Sequence, residues 1–240
     1  MSRLPILMYH AICKNPSESK GLTLSYDKLE AQFKYLVSKG YTSLHFKDIQ
    51  SFKHTDEFPT KPIIITFDDV YVNQYEFAYP LLKKYNLKAC FYAPLAHVGG
   101  FDSWDQGSEP LMSVSQLKAL DPEVVELGLH SFEHRPYDSL SIESIQDDFK
   151  KCQDFIAKHE LNVCNVLAYP YGKFPRKEPS KSLFFNELST QKVAYGLRIG
   201  NRLNRLPFKN NYELNRLDIK GEEPLFKFKL KLKLGKLSLF

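Results

Sequence analysis

Eight short apolar runs recur along the chain, at residues 4–9, 41–46, 62–67, 88–93, 124–130, 163–169, 193–199 and 213–219, and helical patterns lie between many of them. Runs of this length read as strands. Ser25 stands as a candidate N-cap, and Leu29, Phe33, Leu36 and Val37 then make one apolar helical face that ends at Gly40. Phe77, Leu81, Leu82 and Tyr85 repeat the pattern ahead of the 88–93 run, with Pro80 expected to distort that helix locally. Ile142, Ile145, Phe149, Cys152, Phe155 and Ile156 predict a third amphipathic helix over 141–158. Strands alternating with helices argue for parallel βα units. About seven such units would close into a distorted (β/α) barrel, an α/β fold whose active site lies at the C-terminal strand ends.

At 240 residues, 43% of them hydrophobic, the chain can bury a sizeable core, and a single domain over 1–240 is expected. There is no internal repeat and no low-complexity linker. Three stretches rich in Gly or Pro, 97–112, 172–182 and 201–212, read as loops, and long loops in compact domains tend to be functional. Phe101 and Trp104 lie in the first of them.

Four cysteines, Cys13, Cys90, Cys152 and Cys164, form no CxxC pair, so reduced thiols are expected rather than a disulfide framework. No run approaches the ~18 apolar residues of a membrane span. The start of the chain lacks the pattern of a signal peptide, and the expectation is a cytoplasmic protein. The formal net charge is +5, and much of the excess lies in a basic and apolar tail, 225–240, where Lys227, Lys229, Lys231 and Lys233 alternate with apolar residues. That alternation has strand period and predicts an edge strand or end helix with a solvated lysine face. The sharper reading is peripheral contact with the anionic inner face of a membrane. No nucleic-acid partner is expected, since basic and aromatic residues are not otherwise clustered.

Three islands carry the chemistry. Asp68-Asp69 ends the run Ile63 to Phe67; His130-Ser131-Phe132-Glu133-His134 follows Val124 to Leu129; Tyr169-Pro170-Tyr171-Gly172 follows Val163 to Ala168. A fourth run, Pro5 to Tyr9, ends at His10. Each has a plain reading alone: a helix N-cap, a chance histidine spacing, a turn and a core histidine. In a parallel barrel, however, all four would converge on one face. One carboxylate and two imidazoles can hold a divalent metal and leave positions open for water and substrate, while the second carboxylate is free to take a proton.

The order Thr66-Phe67-Asp68-Asp69, then His130-Ser131-x-x-His134, then Pro170-Tyr171-Gly172 resembles the polysaccharide deacetylases (the NodB-homology domain, carbohydrate esterase family four), over roughly residues 4–220. The resemblance implies that Asp68 is the catalytic base, that Asp69, His130 and His134 bind one divalent metal, and that Pro170 and Tyr171 line the substrate groove, with the Tyr171 N–H on the oxyanion. Two departures stand out. Ala168 occupies the place of that family's third-motif Arg, and no histidine follows His159, so the usual late acid is missing. Leu7-Met8-Tyr9-His10 is similar instead to the poly-N-acetylglucosamine deacetylase branch, whose acid histidine comes early. That likeness gives His10 the acid role and leaves Arg216 as a candidate to replace the lost Arg beside Asp68.

The first reading is therefore a metal-dependent N-deacetylase acting on an N-acetylated sugar, polymeric or lipid-linked. Zinc is the expected metal, and cobalt or nickel would also suit the donor set. An O-acetyl carbohydrate esterase with the same site and a non-catalytic carbohydrate-binding protein of the same fold are the alternatives.

Overall fold

A computed structural model describes residues 3–52, 54, 58–105 and 107–235. Residue 106 of the first long loop and residues 236–240 of the tail, both discussed above, lie outside the described residues. The main strands are β2 (Ile6–Tyr9), β6 (Pro62–Asp68), β7 (Ala89–Ala93), β8 (Val125–Leu129), β9 (Val163–Ala168), β10 (Tyr195–Ile199) and β12 (Leu214–Asp218). They pair in that order, all parallel, and β12 pairs back onto β2, so the seven strands form a closed barrel. Short strands decorate it: β1 (Arg3–Leu4) pairs with β11 (Asn204–Arg205), β3 (Ile12–Cys13) with β4 (Leu24–Ser25), and β5 (Thr42–Ser43) with the start of β6.

Pleating sends successive side chains to opposite faces, so each strand feeds two cores. Ile6, Ile64, Cys90, Tyr92, Val166 and Leu214 fill the barrel interior. Leu7, Ile63, Ile65, Phe67, Phe91 and Leu217 face outward and pack under the helices. Gly128 makes room in the barrel, because a Cβ there would lie 2.4 Å from the Tyr92 ring. Counting by twos from the interior residues reaches Asp68 from Ile64, Arg216 from Leu214, and His130 from Gly128. The lower layers of the barrel are mostly apolar, with Thr66 and Glu126 as hydrogen-bonded polar exceptions, and the top layer is polar.

The helices are α1 (Tyr26–Ser38), α2 (Phe46–Ser51), α3 (Tyr79–Lys84), α4 (Val114–Lys118), α5 (Ile142–His159), α6 (Ser180–Thr190) and α7 (Leu225–Leu234). Ser25 does occupy the N-cap of α1, but its hydroxyl makes no capping bond; its N–H donates to Ser19 Oγ at 3.0 Å. The irregularity expected at Pro80 falls just before it, as a π turn over Gln74–Ala78, while Pro80 sits in the first turn of α3, where a missing N–H is harmless. The 41–46 run is strand only at Thr42–Ser43, because Phe46 opens α2. All four cysteines are free.

Of the edge strand and the end helix expected of the tail, the helix is the one formed, and the solvated lysine face needs correcting. Its alternation has strand period, yet residues 225–234 form α7, with Phe228 and Leu232 buried. Its lysine face is not uniformly solvated: Lys231 is buried and donates to the Asp218 carbonyl at 2.6 Å and to Glu223 Oε2 at 2.5 Å. Among the described residues, no helix is long and apolar enough to cross a membrane.

An aromatic cluster supports the end of β9. The Phe184 ring lies 5.3 Å from Tyr137 and 5.6 Å from Tyr169, and Tyr169 donates from its hydroxyl to the Tyr212 carbonyl at 2.9 Å. Phe184→Ala empties the middle of that cluster and should cost about 3–5 kcal/mol, read as a lower denaturation midpoint. A loss below about 1 kcal/mol would mean the cluster collapses freely around the gap.

Candidate active site

The polar top layer of the barrel is held together by one buried ion pair. Arg216 reaches Asp68 with both terminal nitrogens, Nη1 to Oδ1 at 2.5 Å and Nη2 to Oδ2 at 2.8 Å. The residues are 1% and 2% exposed, so the pair is almost fully withdrawn from water. Burial alone would raise the Asp68 pKa; the Arg216 guanidinium, with His130 and His10, overrides it and holds the carboxyl well below the usual carboxylate range. Two-pronged contact also fixes the plane of the carboxylate. The Arg216 guanidinium further lies 5.8 Å from the Tyr92 ring centroid.

Asp69 comes next in sequence, and regular pleating would send it to the other face. The chain leaves strand geometry there, with Asp69 at φ +76° and Val70 at φ +50°. Such left-handed residues cost about 1–3 kcal/mol each and cluster at functional sites. Both adjacent carboxylates consequently reach one centre. Asp69 Oδ1 lies 3.5 Å from His130 Nε2 and 3.4 Å from His134 Nε2.

The imidazoles are oriented from behind. His130 Nδ1–H donates to the Ala168 carbonyl at 2.7 Å, which leaves the Nε2 lone pair facing Asp69. Burial pushes the His130 pKa down to about 4 against the pull of Asp68, so its ring is neutral at pH 7. Ser131 and His134 are left-handed, at φ +57° and +56°, which lets the short loop between the two histidines double back. Asp148 of α5 clamps that loop, accepting from the Phe132 N–H and the Tyr137 hydroxyl, each at 2.8 Å.

Candidate ligand atoms of Asp69, His130 and His134 all lie within 4.8 Å of one another. Asp69 Oδ1 is buried and has no hydrogen-bond partner, an expensive state for a carboxylate unless a cation meets it. The set of two imidazole nitrogens and one carboxylate oxygen fits a divalent metal.

The other residues singled out in the sequence border the same centre. His10 Nε2 is 3.6 Å from Asp68 Oδ2, the oxygen that His130 Nε2 approaches to 3.9 Å. Pro170 opens the turn Pro170–Gly172, and Tyr171, at φ +57°, sets its ring 4.8 Å from His134. Gly172, at φ +65°, has no room for a side chain: a Cβ would lie 2.8 Å from the Ile199 amide nitrogen. His10, Tyr171 and Gly172 line a cleft of about 480 Å³ that also takes in Thr23, Tyr71, Trp104 and Asp218; Pro170, expected to line it, is buried behind the turn instead.

Sequence reasoning missed three contributors. Gln74 is fully buried and donates to the carbonyls of Asp68 at 2.6 Å and His10 at 3.1 Å, tying β6 to the end of β2. No pattern announces it. Asp148 had a signal, since a carboxylate on the buried face of an amphipathic helix requires a partner. Trp104 stacks on His134 at 4.3 Å between centroids and forms a wall of the cleft; it lay in a flagged loop but without an assigned task.

A family profile described as polysaccharide deacetylase matches residues 55–181. The chain is 30% identical over 170 residues to the poly-β-1,6-N-acetyl-D-glucosamine N-deacetylase of Staphylococcus aureus, a match covering 65% of this chain and 56% of that one. It thus spans a little over half the length of the curated relatives it matches. Among solved structures, the Streptococcus pyogenes deacetylase PplD in complex with acetate superposes with a TM-score of 0.79 at 22% identity, covering 96% of this chain and 98% of that one. IcaB from Ammonifex degensii superposes with a TM-score of 0.76 at 20% identity, covering 96% of each chain.

Removing the guanidinium should expose what it offsets. In the native protein the depressed Asp68 pKa contributes stability that is present above the unfolded value of about 3.9 and is lost as pH falls below it. In Arg216→Met, burial is opposed only by His130 and His10, and the buried carboxylate loses its main counter-charge. The substitution should cost about 3–5 kcal/mol at pH 7. The gap from wild type should narrow as acid protonates Asp68, measured by denaturant unfolding across pH; a gap that stays constant would sink this account.

Proposed function

The chain belongs to the polysaccharide deacetylase family, and from that footing we propose that it is a metal-dependent N-deacetylase hydrolysing the acetamide of an N-acetylated sugar in a poly-N-acetylglucosamine-like or lipid-linked glycan. The observation that carries this reading is the division of labour between neighbouring carboxylates. Asp69 is buried with its Oδ1 unpartnered between two imidazoles, while Asp68 is locked by Arg216 and faces His10. The named activity of the Staphylococcus aureus relative supports the choice of N-acetylglucosamine polymers.

Asp69, His130 and His134 would hold the metal. When bound, it supplies Lewis acidity, lowering the pKa of water toward ~7 and polarising the acetyl carbonyl. Asp68, kept ionised and in a fixed plane by Arg216, accepts the proton of the attacking water. The Tyr171 N–H stands for the oxyanion donor of the third motif, on a turn made rigid by Pro170 and the packed Gly172. His10, with its Nε2 3.6 Å from Asp68, gives its proton to the departing nitrogen. An amine leaves poorly without one, so this step carries much of the barrier. Trp104 and Tyr171 flank the cleft with ring surface suited to a sugar face.

Acetate release from a panel of N-acetylated oligomers, lipid-linked sugars and acetylated xylan tests the reading directly. Asp69→Ala should lose zinc and turnover together, whereas Asp68→Asn should retain zinc by elemental analysis and lose on the order of 10²–10⁴-fold in rate. Near-native turnover in Asp68→Asn would remove Asp68 from the base role.

His10→Ala separates acid from scaffold. It should fold, bind metal and hydrolyse the amide on the order of 10²–10⁴-fold more slowly. An activated acetyl ester, whose leaving group needs no proton, should be affected far less. Equal losses on both substrates would assign His10 to binding.

A further inference from the structure

The inner and outer faces of α7 differ in a way the catalytic site does not require. Phe228, Lys231 and Leu232 face inward and are buried. Phe226, Lys227, Leu230, Lys233 and Leu234 follow the i, i+1, i+4, i+7, i+8 spacing of one helical stripe. At the two ends of that stripe, Phe226 and Leu234 are 59% and 61% exposed, the most exposed large apolar side chains described. Lys227 and Lys233 are exposed beside them. A helix that shows water both its lysines and its largest apolar groups is built for a boundary between the two phases.

The surroundings extend the pattern. Exposed Arg3, Arg202 and Arg205 ring Leu234 around a shallow hollow of about 600 Å³. Arg3 is fixed there, its Nη1 donating to the Lys233 carbonyl at 3.2 Å. Nearby carboxylates are engaged elsewhere. Glu223 and Asp218 accept from Lys231, and Glu222 accepts from the Gly21 N–H at 2.8 Å. Among the described residues none of the five outward cations forms an ion pair, and the exposed Phe226 and Leu234 stand among them.

We propose that this face, the outer stripe of α7 with Arg3, Arg202 and Arg205, docks the protein on an anionic lipid surface. The complementarity is both electrostatic and apolar: the cations match lipid phosphates, and Phe226 and Leu234 enter the headgroup boundary. A soluble polyanion would leave the two apolar groups without a role, and a second copy of the chain would meet the same five cations. Docking also bears on the cleft. Lys231 anchors α7 to Asp218, which lines it, so the active site is held at a set distance from the surface. The docking face itself is independent of what the cleft hydrolyses.

The inward residues make deletion of α7 uninformative, so the test uses outward substitutions in the full chain. Sedimentation with vesicles of mixed phosphatidylglycerol and phosphatidylcholine should carry down the wild type at low salt, less at high salt, and phosphatidylcholine vesicles alone should not. Lys227→Gln with Lys233→Gln should weaken binding about 20–30-fold, from about fivefold per cation. Phe226→Ser with Leu234→Ser should abolish the binding that survives added salt, and thermal midpoints should stay unchanged for both pairs. Three results would each overturn the proposal: no sedimentation of the wild type with anionic vesicles, variants that bind as well as wild type, or complete release from vesicles by heparin with the apolar pair making no difference. Loss of a wild-type dimer in the variants, seen by analytical ultracentrifugation, would reassign the face to a second copy.

Discussion

Pairing of β12 with β2 and of β2 with β6 closes the sheet, and the site depends on that closure. A closed parallel sheet has no edges, so every strand end on one rim must face the others. His10, Asp68, His130 and Arg216 are separated by up to 206 positions in the chain, yet stand around one point because their strands share a rim. Mostly aliphatic and aromatic side chains fill the barrel beneath them, so each polar group above depends on its neighbours. Arg216 and Asp68 pair through both terminal nitrogens; His130 leans on a backbone carbonyl; Asp69 is left with an oxygen that has no hydrogen-bond partner.

Much of this could be read from the sequence, for definite reasons. The strands at 62–67, 88–93, 124–130 and 163–169 are continuous apolar runs, as both faces of a parallel barrel strand are buried, and such runs are hard to mistake. The polar groups at their ends were visible because they interrupt the runs. Arg216 could be named only through the family resemblance, in which Ala168 stands where an Arg is usual, and its two-pronged contact depends on register between β10, β12 and β2. That register is a property of the closed sheet.

The less legible parts fail for physical reasons too. Alternating lysines in the tail have strand period, but tertiary contacts decided otherwise: Phe228 and Leu232 gain burial only if the segment coils, and Lys231 then finds two oxygen partners. Gln74 works through a π turn that no propensity announces. The left-handed residues Asp69, Ser131, His134 and Tyr171 are tolerated because the surrounding packing over-determines them. Local rules break down where the chain bends to bring functional groups together, and four of those breaks fall within a few residues of the cleft.

The stretch that matches the family runs from 55 to 181 and contains Asp68, Asp69, His130, His134 and Tyr171. His10 and Arg216, the two residues that flank Asp68 with positive or protonatable nitrogen, come from the first and last strands of the barrel, outside that stretch. Inheritance of the signature and completion of the cleft are thus separate properties of the polypeptide. A sister chain could preserve every signature residue and still drift at either flank, leaving a cation centre whose neighbouring carboxylate has no fixed plane and no proton donor across from it. Divergence in this fold has a built-in seam, and it runs around Asp68.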